Sequence, residues 1–122
     1  TVPLNQIFLD GYICKEPIYR KTPLGREIAD LLLAVNRPYG KSDYIPCICW
    51  GRNARYADGF SVGEHVQLEG RIQSREYQKQ LGEDQVETRV AYEISVSKLD
   101  LVTESDEVTA ASEIVDLLDE KI

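Results

Sequence analysis

From His65 to Lys79 the chain alternates. Val66, Leu68, Gly70 and Ile72 fall on one side, and Glu69, Arg71, Gln73, Arg75 and Tyr77 fall on the other. A β-strand turns successive side chains to opposite faces, so this period predicts a strand with one apolar face and one face of guanidinium and phenol. The same period recurs from Asp43 to Gly51, where Ile45, Cys47 and Cys49 alternate with Tyr44, Pro46, Ile48 and Trp50. If the cysteine side is core, Tyr44 and Trp50 project outward.

Three further stretches read as strands. Gln6 to Cys14 sets Ile7, Leu9 and Ile13 on one face and ends at Lys15-Glu16-Pro17. Glu27 to Asn36 holds a nearly continuous apolar run whose Leu31-Leu32-Leu33-Ala34 would also suit a helix, but its length and the bounding Gly25 and Pro38 favour a strand. Gln85 to Val102 is the last and longest. Thr22-Pro23-Leu24-Gly25 predicts a tight reversal, Arg37 to Ser42 a polar loop, and Leu81-Gly82-Glu83-Asp84 a hairpin loop. Between the third and fourth strands, Arg52 to Phe60 lacks proline, carries Ala54, Arg55 and Ala57, and runs into Gly59 and Gly63, which predicts one short helix. Five antiparallel strands with a helix between the third and fourth describe an all-β, five-stranded Greek-key barrel of the oligonucleotide/oligosaccharide-binding (OB) kind.

Composition bounds this picture. The 122 residues, 43% of them apolar, suffice for one domain with its own core and not for two ordinary ones. No apolar run is long enough to span a bilayer, and the opening TVPLNQIFLDG lacks the charged-then-apolar pattern of a signal peptide, so a cytoplasmic protein without membrane contact is expected. Thr1 in place of an initiator methionine, in a chain with no methionine at all, suggests a processed or excised chain. Three cysteines fit no disulfide framework, and a Cys-x-Cys pair with His65 as the only histidine does not supply four zinc ligands. Buried thiols are expected, with no metal and no cofactor. No phosphate-cradling glycine loop and no nucleophile with a plausible base are present, so an enzyme is not expected.

A net charge of −7 looks wrong for a polyanion ligand. Its distribution removes the objection. Residues 104–122 hold seven acids against Lys121, a net of −6, and residues 1–103 carry 13 basic and 14 acidic groups, a net of −1. A near-neutral body can present a basic groove if acids such as Asp10, Asp30 and Glu64 lie elsewhere. The two amphipathic strands then combine rings on which unpaired bases stack with fixed cations that replace counterions on a phosphate backbone. Ordinary roles compete at each position: Trp50 as a core anchor, Tyr44 and Tyr77 in a subunit interface, and Arg71 and Arg75 in cross-strand ion pairs.

Six fragments occur in order over residues 5–102: Asn5-Gln6-Ile7-Phe8-Leu9-Asp10-Gly11, Glu16-Pro17, Gly25-Arg26-Glu27-Ile28-Ala29, Leu33-Ala34-Val35-Asn36-Arg37, Trp50-Gly51-Arg52-Asn53-Ala54, and Glu69 to Tyr77. In order and spacing they resemble the bacterial single-stranded DNA-binding protein family. The resemblance implies sequence-tolerant binding of single-stranded DNA in replication, repair and recombination, as a homotetramer or homodimer, with replication or repair proteins as possible partners. It implies stacking positions at Tyr39, Tyr44, Trp50, where the family usually has phenylalanine, and Tyr77. Arg37, Arg71, Arg75 and Lys79 would be the cationic contacts beside them, with Arg52 and Arg55 at the helix start completing the set. A primosome-like assembly module and an RNA-binding OB barrel are the alternatives.

After residue 103 the character changes. From Thr103, a capping-type Thr-x-x-Asp precedes Val108, Ala111, Val115, Leu118 and Ile122, which recur at three and four residues with acids between them. Residues 1–103 are therefore expected to form the barrel. Residues 104–122 are expected to form an amphipathic helix on the barrel or a neighbouring subunit, or a frayed acidic tail. The family's usual Pro-Phe ending is replaced by Leu117-Leu118-Asp119-Glu120-Lys121-Ile122.

Overall fold

The computed structural model describes residues 4–103, so the expectations for the acidic segment at 104–122 lie outside the described residues. Within them the chain runs β1 (Ile7–Ile13), β2 (Ile18–Lys21), β3 (Glu27–Asn36), β4 (Ser42–Trp50), α1 (Arg52–Asp58), β5 (His65–Gln80) and β6 (Val86–Leu101). The five long strands and the single helix match the expected barrel order. The additional strand is β2, a four-residue piece that pairs only with β3, from Ile18 opposite Asp30 to Lys21 opposite Glu27. It is too short to show a period, and Pro17 just before it reads as a break.

Strand order is β1-β5-β6-β4-β3-β2, and β1 also pairs with β3 through Tyr12 and Ile13, which closes the barrel. Gly11 stands where β1 passes from β5 to β3. A Cβ there would meet the Ala34 carbonyl oxygen at 2.5 Å and the Leu33 side chain at 2.9 Å, so only glycine allows this approach. Gly51, at φ 58, turns the chain from β4 into α1.

The inward side chains fill the barrel. Ile13, Leu33, Cys49 and Val66 are wholly buried, with Leu31, Cys47, Leu68, Ile94 and Leu99 around them. Each fully buried Leu or Ile contributes about 1.5–3 kcal/mol relative to exposure. The expected cysteine face is thus core. Burial pushes the Cys47 and Cys49 thiols up to about 12, which keeps them protonated and unreactive at neutral pH. Cys14 is half-buried and donates its S–H to the Leu32 carbonyl at 3.2 Å. Helix α1 lays Ala54 and Ala57 against the barrel, and Phe60 follows as a buried plug with Tyr56 edge-on at 4.9 Å.

β5 and β6 pair without interruption from Gly70 opposite Val96 to Gln80 opposite Val86, and past Ile72 opposite Ile94, where β4 also pairs, they continue as a two-stranded arm. A register shift lies between Glu69 and Gly70, where the partner skips from Lys98 to Val96. This bulge lies in the barrel wall, ahead of the arm, and adds to the local twist of the two strands.

Candidate nucleic-acid interface

One row of residues crosses the outer face of the sheet. Arg71 on β5 lies opposite Ser95 on β6, Ser95 opposite Ile48 on β4, Ile48 opposite Asp30 on β3, and Asp30 opposite Ile18 on β2. Residues directly opposite one another share a face. The row therefore unites the two amphipathic strands: Arg71, Gln73, Arg75, Tyr77 and Lys79 look out on the same side as Tyr44, Pro46, Ile48 and Trp50. With strands about 4.8 Å apart, Arg71 stands roughly 10 Å from β4.

Strand direction fixes which groups lie together. Because β4 runs parallel to β6 and β5 antiparallel to it, Tyr44 lies toward the Arg75 and Tyr77 end of the row, and Trp50 toward the other end. The six steps from Tyr44 to Trp50 cover about 20 Å. All four rings are open to a base: Tyr39 is 92% exposed, Tyr44 63%, Trp50 38% and Tyr77 37%. Trp50 is therefore not a core anchor. Tyr39 tops the loop between β3 and β4, where Arg37 N–H donates to the Lys41 carbonyl at 2.7 Å and Gly40 takes φ 79.

The expected cations divide by what already holds them. Arg71, Lys79 and Arg52 make no ion pair among the described residues. Arg75 Nε donates to Glu93 at 3.2 Å, and Gln73 Nε2 donates to the other oxygen of the same carboxylate at 3.0 Å. Arg37 forks onto Asp43, with Nε to Oδ2 at 2.8 Å and Nη2 to Oδ1 at 2.6 Å. Those bonds hold the Asp43 carboxyl below its ordinary range and raise the Arg37 guanidinium. Arg55 lies on the far side of β3, 3.4 Å from Glu27, which also accepts the Tyr19 hydroxyl at 2.6 Å. Tyr19 is raised as a result. Arg52 sits at the rim, beside a shallow groove lined by Asn53, Tyr56, Ser97 and Lys98.

The acids also differ from expectation. Asp30 is on the site face rather than away from it, in the row with Ile48, and Arg20 balances it at 3.5 Å. Asp10 lies at the base of the outer face between His65 and Gln67, both hydrogen-bonded to it. Burial would raise its carboxyl, but the bonds from His65 and Gln67 outweigh this and lower it. Glu64 accepts the Ser61 backbone N–H. Asp10, Glu69 and Asp100 gather with Lys98 toward the base of β5 and β6, and along the arm Arg71, Arg75, Lys79 and Arg89 share their face with Glu93 and Glu87.

Two residues of this face carry no flag in the sequence. Glu93 is 7% exposed, the one charged side chain buried among the described residues, and it sits directly opposite Gln73. Its place in the Ala91, Glu93, Ser95 alternation was the only hint. Arg26, at the end of the turn before β3, lies with its guanidinium carbon 5.2 Å from the Trp50 ring centroid. Only the pairing of Ile28 with Trp50 brings the two together. Among the described residues no group of His, Cys, Asp and Glu is arranged to hold a metal ion, and no helix is long and apolar enough to cross a membrane.

Comparison with known proteins identifies the family. The sequence profile of the single-strand binding protein family matches residues 4–102. The chain is 37% identical over 86 residues to single-stranded DNA-binding protein 1 of Staphylococcus aureus, covering 65% of this chain and 52% of that protein. It is 35% identical over 97 residues to single-stranded DNA-binding protein A of Bacillus subtilis, covering 74% and 56%. The relative from Oceanobacillus iheyensis, a single-stranded DNA-binding protein, is 35% identical over 94 residues, covering 71% and 58%. The chain thus spans a little over half the length of these curated relatives.

Proposed function

This chain belongs to the single-strand binding protein family, and we propose that it binds single-stranded DNA without base selectivity, as a binding protein and not an enzyme. The observation that carries the proposal is the register row through Arg71, Ser95 and Ile48, which puts the exposed rings of Tyr44, Trp50 and Tyr77 and the unpaired Arg71 and Lys79 on one continuous side, with exposed Tyr39 in the loop that leads into β4. Bases have a π face whatever their identity, so stacking on Tyr39, Tyr44, Trp50 and Tyr77 tolerates any sequence and contributes about 1–3 kcal/mol per base. Arg71 and Lys79 supply charge for the backbone, and Arg75 joins them with the part of its guanidinium that Glu93 leaves open. Such a protein coats unwound DNA in replication, repair and recombination and works in the cytoplasm with the chromosome.

A different surface supports self-assembly. β1 pairs with β5 along one edge, and from Ile7 to Gly11 its other edge takes no strand among the described residues. Beside that edge a largely apolar groove of about 270 Å³ is lined by Ile7, Leu9, Ile45, Pro46, Ile72, Tyr92 and Ile94, together with Glu93. An open strand edge next to an exposed apolar groove suits a second copy of the chain, and hence a homodimer or a tetramer of two such pairs.

Trp50 is the only tryptophan, so a fluorescence titration with oligo-dT reads the stacking face directly. Quenching is expected, with log affinity falling against log salt at about −0.7 for each phosphate contact. No change in emission together with no gel shift at low salt would reject the proposal, and tighter binding of oligo-U would move the assignment to RNA.

A further inference from the structure

Trp50 already carries a cation on its ring before any ligand arrives. Arg26 stands 5.2 Å from the indole centroid, inside the range over which a guanidinium is drawn to a π face. The turn that delivers it is firmly tied. Thr22 N–H donates to the Arg26 carbonyl at 2.8 Å, Arg26 N–H to Thr22 Oγ1 at 3.0 Å, and Gly25 N–H to the Thr22 carbonyl at 2.8 Å. Buried Ile28, paired with Trp50 in the ladder, supplies an apolar floor for the site.

The neighbouring acids are all engaged elsewhere. Glu27, next in sequence, alternates to the opposite face of β3, where Tyr19 and Arg55 hold it. Asp30, which shares the site face, is paired with Arg20. Among the described residues no carboxylate pairs with Arg26, and its guanidinium lies against the exposed π face of Trp50.

We propose that Arg26 and a nucleobase exchange on Trp50. In the free protein the guanidinium caps the indole; when a single strand arrives, a base takes the ring and Arg26 moves to the adjoining phosphate. The inference rests on the reading that this face binds single-stranded DNA. A phosphate offers the guanidinium two parallel charge-assisted hydrogen bonds, a stronger partner than a ring face. The base meanwhile gains the flat apolar surface that Arg26 gives up. Arg26 therefore belongs to the binding site, and the Arg26–Trp50 pair converts an intramolecular contact into two intermolecular ones.

The exchange has a distinctive salt dependence. Wild type, Arg26→Ala and Arg26→Lys are titrated with oligo-dT across a salt series, following Trp50 emission, with urea unfolding as a check on the fold. In Arg26→Ala the phosphate contact is gone but the ring is bare from the start. Its binding is expected to be several-fold weaker at low salt, with a slope shallower by about 0.7, so that the two curves converge and cross at high salt. Arg26→Lys should recover the wild-type slope. Weakening of Arg26→Ala by one constant factor at every salt concentration, or binding indistinguishable from wild type, overturns the exchange and leaves DNA binding intact. Wild-type protein that fails to bind oligo-dT at low salt overturns the function itself, and the exchange with it.

Discussion

Glu93 is the residue that sets how much positive charge the arm presents. Its carboxylate is buried between Gln73 and Arg75 and accepts from both, so one oxygen orients an amide and the other occupies the Nε edge of the guanidinium. Glu93→Gln keeps the size of the side chain and a hydrogen-bonding partner for Gln73, but releases Arg75. Loss of a charge-assisted bond is expected to cost about 1–2 kcal/mol of stability, read by urea unfolding. The freed guanidinium should steepen the salt slope of oligo-dT binding by about 0.7. A variant that unfolds earlier with an unchanged slope would mean that Arg75 faces no phosphate. At this scale the sequence was partly legible. Alternation alone identified Tyr44, Trp50, Arg71, Arg75 and Tyr77 as outward, because period two is a local property of the strand, whereas Tyr39 and Arg37 in the loop and Arg52 and Arg55 on the helix rested on the family resemblance. It did not reveal which cations are already paired. Arg37 with Asp43 and Arg75 with Glu93 are set by loop closure and cross-strand register, which no single strand carries.

Among elements, the β5–β6 arm performs two tasks with its two faces. One face holds Arg71, Gln73, Arg75, Tyr77 and Lys79. The other prolongs the barrel's core side past the barrel, leaving Ile72, Tyr92, Val90 and Val86 exposed on it. A core-type face without a core beneath it is a surface for another molecule. Ile72 and Tyr92 meet the open edge of β1 in the apolar groove, so charged replacements there should block self-association without touching the stacking rings. Mass measurement by light scattering is expected to give a multiple of 13.8 kDa for the chain and 13.8 kDa for Ile72→Asp with Tyr92→Asp. A wild-type mass of 13.8 kDa would remove the assembly. The five long strands and the helix were readable from period and breakers, but β2 and the bulge were not. The bulge depends on Gly70, whose missing Cβ admits the Ser95 carbonyl. In the sequence Gly70 is only a small residue on the apolar parity, since close approach is a property of two strands together.

At the scale of the molecule, net charge and local charge oppose each other. The chain carries −7 overall, yet residues 1–103 are almost balanced, and Arg71, Arg75 and Lys79 share one face of the arm even though Glu93 and Glu87 stand opposite Gln73 and Lys79 on it. The remaining −6 belongs to residues 104–122, a local concentration of carboxylates tethered to the end of β6 at Leu101. Tethering makes any repulsion of DNA, or competition with it for the cations, intramolecular and so independent of protein concentration. At about 0.15 M salt the Debye length is near 8 Å, and added salt weakens such an effect quickly. Truncation after Thr103 should therefore tighten oligo-dT binding at low salt, and the gain should fade as salt rises. The barrel's unfolding midpoint is expected to hold, because the core around Ile13, Leu33, Cys49 and Val66 is built from β1, β3, β4 and β5. Equal affinity of the full and truncated chains at low salt would show that the acids do not act on the binding face. A gain that persists undiminished at high salt would instead assign residues 104–122 a steric role over the rings.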